Sequence, residues 1–184
     1  TGIHYGTSRV DQLNADKYGT GVRGAERNRL RNSNDPRIKR RVYFYIPKNG
    51  SGLKHPESGL GEYVYGQKLG NLLNAESDAY NAIKQEIDDS AMSDGDYLNK
   101  LESTVVDSGY DGIAMPDIGV ALVLDHDVPV KYLGKRTELM KSGFGYKDMI
   151  RVAHEPAMIE KAVTANKSEL EASGKQRIPE FSTQ

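Results

Sequence analysis

Gly109-Tyr110-Asp111-Gly112-Ile113-Ala114-Met115-Pro116-Asp117-Ile118-Gly119-Val120-Ala121-Leu122-Val123-Leu124 is the stretch whose reading decides the fold. Val120 to Leu124 is a continuous apolar run, the pattern of a buried central strand. Tyr110 to Ala114 reads as a short strand or turn, and Pro116-Asp117-Ile118-Gly119 as a second turn. Downstream, Asp125-His126-Asp127 turns the chain, and Val128-Pro129-Val130-Lys131-Tyr132-Leu133-Gly134 alternates as an edge strand, where a proline is tolerated. Upstream, Asp96 to Asp107 sets Leu98, Leu101 and Val105 on one helical face and stops at Ser108-Gly109, glycine being the usual left-handed C-cap.

Working outward, Gly2 to Ser8 reads as a short strand and Val10 to Asp16 as a turn or single helical turn. Ala25 to Asn32 is a brief arginine-rich helix, ended by Asn32-Ser33-Asn34-Asp35-Pro36. Arg40 to Pro47 is a strand by its aromatic and β-branched content, followed by the loop Lys48-Asn49-Gly50-Ser51-Gly52. Tyr63, Leu69, Leu72 and Leu73 fall near helical spacing and predict a helix within 60–74, and Tyr80, Ile83 and Ile87 predict another. Strands at both ends with helices between them make the class α+β and largely antiparallel. Residues 1–134 form the main domain. Residues 135–184 read as a peripheral helical extension and tail, with a helix over Ala153 to Ala172.

Composition narrows the function classes. The chain has 184 residues, 37% of them hydrophobic. Its mean hydropathy is −0.65, so the core must be economical. No stretch approaches the roughly 18 apolar residues of a membrane span, and the first 30 lack the apolar block of a signal peptide. An opening Thr suggests a piece of something longer. The absence of cysteine excludes disulfides, thiolate metal sites and thiol nucleophiles. His4, His55, His126 and His154 are scattered, which argues against a zinc hydrolase, and there is no Gly-x-Ser-x-Gly elbow. The net charge of −1 hides an asymmetry. Residues 23–41 carry Arg23, Arg27, Arg29, Arg31, Arg37, Lys39, Arg40 and Arg41 against Glu26 and Asp35, whereas 76–127 are strongly acidic. A basic block beside Gly19-Thr20-Gly21-Val22-Arg23-Gly24 suits a polyanionic ligand, and equally a solvated basic face.

Taken in order, His4-Tyr5-Gly6, Gly19 to Arg27, Tyr43-Phe44-Tyr45, Gly109-Tyr110-Asp111-Gly112 and the terminal strand to Gly134 resemble the ADP-ribosyltransferase-like domains of phage polyvalent proteins and related bacterial toxins. The resemblance covers about residues 2–134. It implies a split, largely antiparallel sheet of the diphtheria-toxin type, with helices between strands, that binds NAD as a substrate and needs no metal. It also implies that His4 bonds the hydroxyls of the nicotinamide-side ribose, with Tyr5 and Gly6 beside it. Tyr43 stands where the stacking tyrosine is expected, and Tyr63 and Tyr65 compete for the second aromatic wall; a positive nicotinamide ring suits electron-rich faces. Gly21, Arg23 and Arg27 would serve the pyrophosphate, through backbone N–H groups and charge-assisted bonds.

In one respect the sequence departs from the family's pattern. The glutamate that normally opens the last core strand falls near Gly119 or Val120, so Asp117 is the best substitute and Asp111 the next. The expectation is therefore transfer of ADP-ribose to a host macromolecule, protein or RNA, in a bacterial cytoplasm, with an immunity protein as a further partner if the parent is a toxin. The alternative from another class is a non-catalytic nucleic-acid-binding module that uses the basic segment 23–41.

Overall fold

In Gly2-Ile3-His4-Tyr5-Gly6 the buried Ile3 and Tyr5 alternate with half-buried His4 and Gly6, a period of two that makes this segment a strand. The computed structural model describes residues 2–17, 24–49, 61–87 and 91–141. Along the chain lie β1 (Gly2–Gly6), β2 (Gln12–Leu13), a single 3-10 turn (Ala15–Lys17), α1 (Ala25–Arg31), α2 (Pro36–Lys39), β3 (Arg41–Tyr45), β4 (Tyr63–Gln67) and β5 (Leu72–Asn74). They are followed by α3 (Asp78–Glu86), α4 (Asp94–Asp107), β6 (Gly112–Met115), β7 (Val120–Leu124), β8 (Val128–Pro129), β9 (Lys131–Lys135) and α5 (Arg136–Lys141). The class is mixed α+β, mostly antiparallel with one parallel pair. Two compact units share the chain. The first comprises Thr1–Gln12, Tyr45–Lys68 and Pro129–Gln184, the second Leu13–Phe44 and Leu69–Val128.

In the first unit β1 pairs antiparallel with Tyr45 at the end of β3 (Ile3↔Tyr45) and, on its other side, with β4 from Gly2↔Gln67 to Gly6↔Tyr63. β9 continues antiparallel beyond β4. The register passes from Tyr65↔Tyr132 to Val64↔Gly134, so Leu133 is an extra residue on β9, and Gly134 takes φ 135° at the resulting bulge. Ile3, Val64, Leu133 and Leu139 are wholly buried, each contributing about 1.5–3 kcal/mol through apolar burial. α5 follows β9 directly. Glu62 caps it: Oε1 accepts from the Thr137 N–H at 2.9 Å and from the Thr137 hydroxyl, and those bonds hold its pKa below the ordinary value.

In the second unit β5 runs parallel to β6 after a crossover through α3 and α4, and β6 returns antiparallel along β7, which neighbours β3. The apolar run is thus a central strand with Ala121, Leu122, Val123 and Leu124 all buried. Leu30, Ile38, Leu122 and Leu124 form one apolar cluster; Leu73, Val105 and Ile113 form another against α3 and α4. α4 begins earlier than the periodicity implies, because the Ser93 hydroxyl caps the Asp96 N–H. It ends at Asp107, and Gly109, just past the Ser108 C-cap, takes φ +88°. Gly112 cannot be replaced without displacing β7: a Cβ there would lie 1.8 Å from the Leu122 carbonyl oxygen.

One expected element is corrected. Residues 60–74 hold no helix but β4 and β5, separated by Lys68-Leu69-Gly70-Asn71. Tyr63 and Tyr65 alternate with Val64 and Gly66, and pairing with β1 and β9 outweighs the looser helical spacing of the leucines. Strands therefore lie among the helices as well as at both ends. Of residues 135–184, the end of β9 and α5 are described; the helix expected over Ala153 to Ala172 lies outside the described residues.

Candidate functional site

Directly paired residues in neighbouring antiparallel strands project to the same side, so the register builds a polar row across the first unit: His4 opposite Tyr65, and Tyr65 opposite Tyr132. Gly6 opposite Tyr63 makes a second row on the same side. Tyr65 is fully buried, whereas His4 and Tyr63 are half-buried. The Tyr65 ring leans over Gly6, where a Cβ would come within 3.1 Å of Cε2. Its hydroxyl donates to the Ser8 carbonyl and accepts from the Val10 N–H at 2.9 Å, and burial pushes its pKa up while that N–H opposes the rise. Tyr132 packs between its neighbours, with ring centroids 6.0 Å from Tyr63 and 5.7 Å from Tyr65.

Tyr5 is on the other face of β1. It stands edge-on to Tyr45 at 5.7 Å, and burial, then the neighbouring Tyr45, raise its phenol well above the ordinary value. Of the residues assigned to NAD, the first unit thus gathers His4, Gly6, Tyr63 and Tyr65 on one side and turns Tyr5 to the opposite side.

The second unit holds Tyr43, Arg27, Asp111 and Asp117. Tyr43 packs against the Leu30–Ile38–Leu122–Leu124 cluster; its hydroxyl donates to Glu26 and accepts from Arg41 Nη1 at 3.0 Å. Burial drives its phenol up, against the pull of Arg41. Around it lies a buried ionic network. Glu102 receives Arg41 Nη2 at 2.8 Å and Arg29 Nη1 at 2.5 Å, and Arg29 is further held by Asn99 at 3.0 Å. Arg41, 1% exposed, also donates to the Ile38 carbonyl, so its buried donors are met within the protein.

Two of the remaining basic residues of this segment are neutralised by carboxylates. Arg37 pairs with Asp35 and Asp107, and Arg40 with Asp16, Asp125 and Asp127. Arg27, Arg31 and Lys39 form no ion pair among the described residues. Asp111 is a turn residue: it accepts the Asn71 N–H at 2.8 Å while its backbone N–H donates to the Asn71 carbonyl. Asp117 stands in the exposed turn between β6 and β7, next to the exposed Ile118. Gly21 and Arg23 lie outside the described residues.

Three contributors escaped the sequence reading: Tyr132 in the polar row, Glu26 beneath Tyr43, and Arg9, whose guanidinium lies 4.7 Å from the Tyr132 ring centroid. Pairing register alone reveals the first; for the others no short-range signal exists. Among the described residues no group of His, Asp and Glu side chains is arranged to hold a metal ion, and no helix is long and apolar enough to cross a membrane. Comparison with protein-family models, curated proteins and solved structures found no match.

Proposed function

We propose that the chain is an NAD-dependent ADP-ribosyltransferase, a phage- or toxin-derived module that acts on a macromolecule in the cytoplasm of a bacterial host. The observation that carries this reading is the row formed by His4 and Tyr65 with Gly6 and Tyr63 beside it. An imidazole able to bond ribose hydroxyls thereby shares one side of a rigid sheet with an aromatic ring that is still partly open. Tyr63 is the better stacking wall of the two competitors, because Tyr65 is buried and its hydroxyl is committed to the Ser8–Val10 segment.

In the reaction the bond between the nicotinamide nitrogen and the anomeric carbon breaks, and its electron pair leaves with the now neutral nicotinamide. The acceptor's nucleophile bonds to the anomeric carbon and gives up a proton. The leaving group needs no strong acid, so positioning of the ribose supplies much of the rate. By the resemblance alone, Asp117 is assigned the proton-accepting role and Asp111 is the next candidate.

Incubation with adenylate-labelled NAD and bacterial extract tests the reading. Nicotinamide release, with label entering protein or RNA, supports it and identifies the acceptor class. A folded chain that neither releases nicotinamide nor transfers label contradicts it.

A further inference from the structure

The basic residues of 23–41 meet different fates. Arg29 and Arg41 turn inward to Glu102, and Arg37 and Arg40 are held by Asp35, Asp107, Asp16, Asp125 and Asp127. Arg27 and Arg31 are exposed, one helical turn apart on α1, and neither forms an ion pair among the described residues.

α1 sorts its side chains by face. Leu30 enters the apolar cluster, Glu26 bonds Tyr43, and Arg29 bonds Asn99 and Glu102, so these three define the inward side. Arg27, Asn28, Arg31 and the C-cap Asn32 fall on the opposite side at four-residue spacing, and all four are exposed. From Gly24 to Asn34 the one carboxylate is Glu26, which is spent inward. The outward face therefore carries two guanidinium groups and two amides, with no negative charge from its own segment.

Two guanidinium groups about 5–6 Å apart at Cβ can fork onto neighbouring phosphates of one strand. An asparagine amide both donates and accepts, as a ribose 2′-hydroxyl does, so the pairing of arginines with asparagines suits an RNA strand better than an acidic protein surface. We propose that the outward face of α1 docks an RNA strand, Arg27 and Arg31 on its phosphates and Asn28 and Asn32 beside its ribose hydroxyls, and that RNA is the acceptor of the transfer reaction. The acceptor role rests on the NAD reading; the docking does not. The assignment takes Arg27 from the pyrophosphate role that the resemblance implies.

Fluorescence anisotropy with a short labelled single-stranded RNA, in the absence of NAD, tests the docking on wild type, on the double variant Arg27→Gln/Arg31→Gln and on the control Arg37→Gln/Arg40→Gln, which removes the same charge. Thermal melts establish that each is folded. The first pair should weaken RNA about 10- to 60-fold at 50 mM salt and reduce the log–log salt slope by about 1.4, the share of two single-strand phosphate contacts. The control pair should change affinity far less. Equal losses in the two pairs would mean that net charge rather than this face governs binding, and would overturn the docking, as would a wild-type chain that binds no RNA. Asn28→Ala/Asn32→Ala should weaken RNA more than single-stranded DNA of the same sequence; equal weakening would overturn the ribose contacts. With labelled NAD and bacterial extract, label entering RNA supports the acceptor role and label entering protein alone overturns it. A wild-type chain that releases no nicotinamide would sink the NAD reading and the acceptor role with it, while the anisotropy result decides the docking separately.

Discussion

The two units each hold a tyrosine-centred polar cluster, and the clusters differ in how fully their bonding capacity is spent. In the second unit Arg29, Arg41, Glu26, Glu102 and Tyr43 satisfy one another, with Glu102 and Arg41 almost wholly buried. In the first, Tyr63 is half-buried, Arg9 stacks on Tyr132 with no carboxylate partner among the described residues, and the buried Arg136 Nε and Glu138 Oε2 have no hydrogen-bond partner there. A closed network stabilises and positions; the more open row of the first unit is the one the proposed function assigns to a ligand. Charge alone does not separate them, since the second unit carries the basic segment that the sequence singled out.

The largest effect expected from this contrast is on stability. Glu102→Gln removes the carboxylate shared by the buried Arg41 and the partly buried Arg29 and should cost about 3–5 kcal/mol in urea unfolding, as loss of one member of a buried ion pair does. A loss under about 1 kcal/mol would show that the network is not closed.

Tyr63→Ala and Tyr65→Phe should separate ligand contact from scaffold within the first unit. Removing Tyr63 should weaken NAD by about 1–3 kcal/mol, the scale of one base stacked on an aromatic ring, with little change in melting temperature. Tyr65→Phe leaves the Val10 N–H without its acceptor and should instead lower stability by about 1–3 kcal/mol. The reverse pattern would exchange their roles.

Asp111 and Asp117 sharpen the same distinction in the second unit. Asp111→Ala should cost about 0.5–1.5 kcal/mol of stability through the lost bond to Asn71. Asp117→Ala should slow transfer at saturating NAD more than it weakens NAD binding, the mark of a group that acts mainly in the transition state. If Asp111→Ala shows the kinetic pattern and Asp117→Ala does not, the assignment of the carboxylate is reversed.

The smallest effect concerns acid. The Arg37 guanidinium beside Asp35 lowers its pKa from 3.8 to about 2. A carboxyl group with a depressed folded-state pKa stabilises above its unfolded pKa and loses that contribution as pH falls through the folded value, here between about pH 4 and 2. Asp35 also caps α2 by accepting from the Arg37 N–H. The urea midpoint of wild type should therefore exceed that of Asp35→Asn at pH 6, with the gap narrowing below pH 4. A gap that widened on acidification would refute the pairing.

What could be read from the sequence was what local pattern dictates. The run Val120–Leu124 has no polar alternation and is a central strand; Leu98, Leu101 and Val105 mark α4, and Gly109 its end. Residues 60–74 misled because the Tyr63, Leu69, Leu72 and Leu73 that suggest a helix are spread over two strands and the segment between them, each strand defined by a partner distant in sequence: β1 and β9 for β4, β6 for β5. The site follows the same rule. His4 was visible as a residue type within an ordered motif set, and Tyr63 as one of two tyrosines competing for the second aromatic wall. That Tyr5 turns away from His4 follows from strand alternation, whereas the engagement of Tyr43 with Glu26, and of the basic block with Asp16, Asp107, Asp125 and Asp127, depends on contacts from distant segments. The stacking of Arg9 likewise depends on Tyr132, distant in sequence.

The central claim is that the His4 side of the first unit's sheet is a working NAD surface. Its most direct test is the rate of nicotinamide release from NAD by the wild-type chain and by His4→Ala, compared at equal folded fraction. The account predicts measurable release by wild type and a loss of roughly 2–4 kcal/mol of transition-state stabilisation in the variant, the scale of one well-placed polar contact in a site, with the melting temperature unchanged. Equal rates in two folded proteins, or no release by wild type, would contradict it.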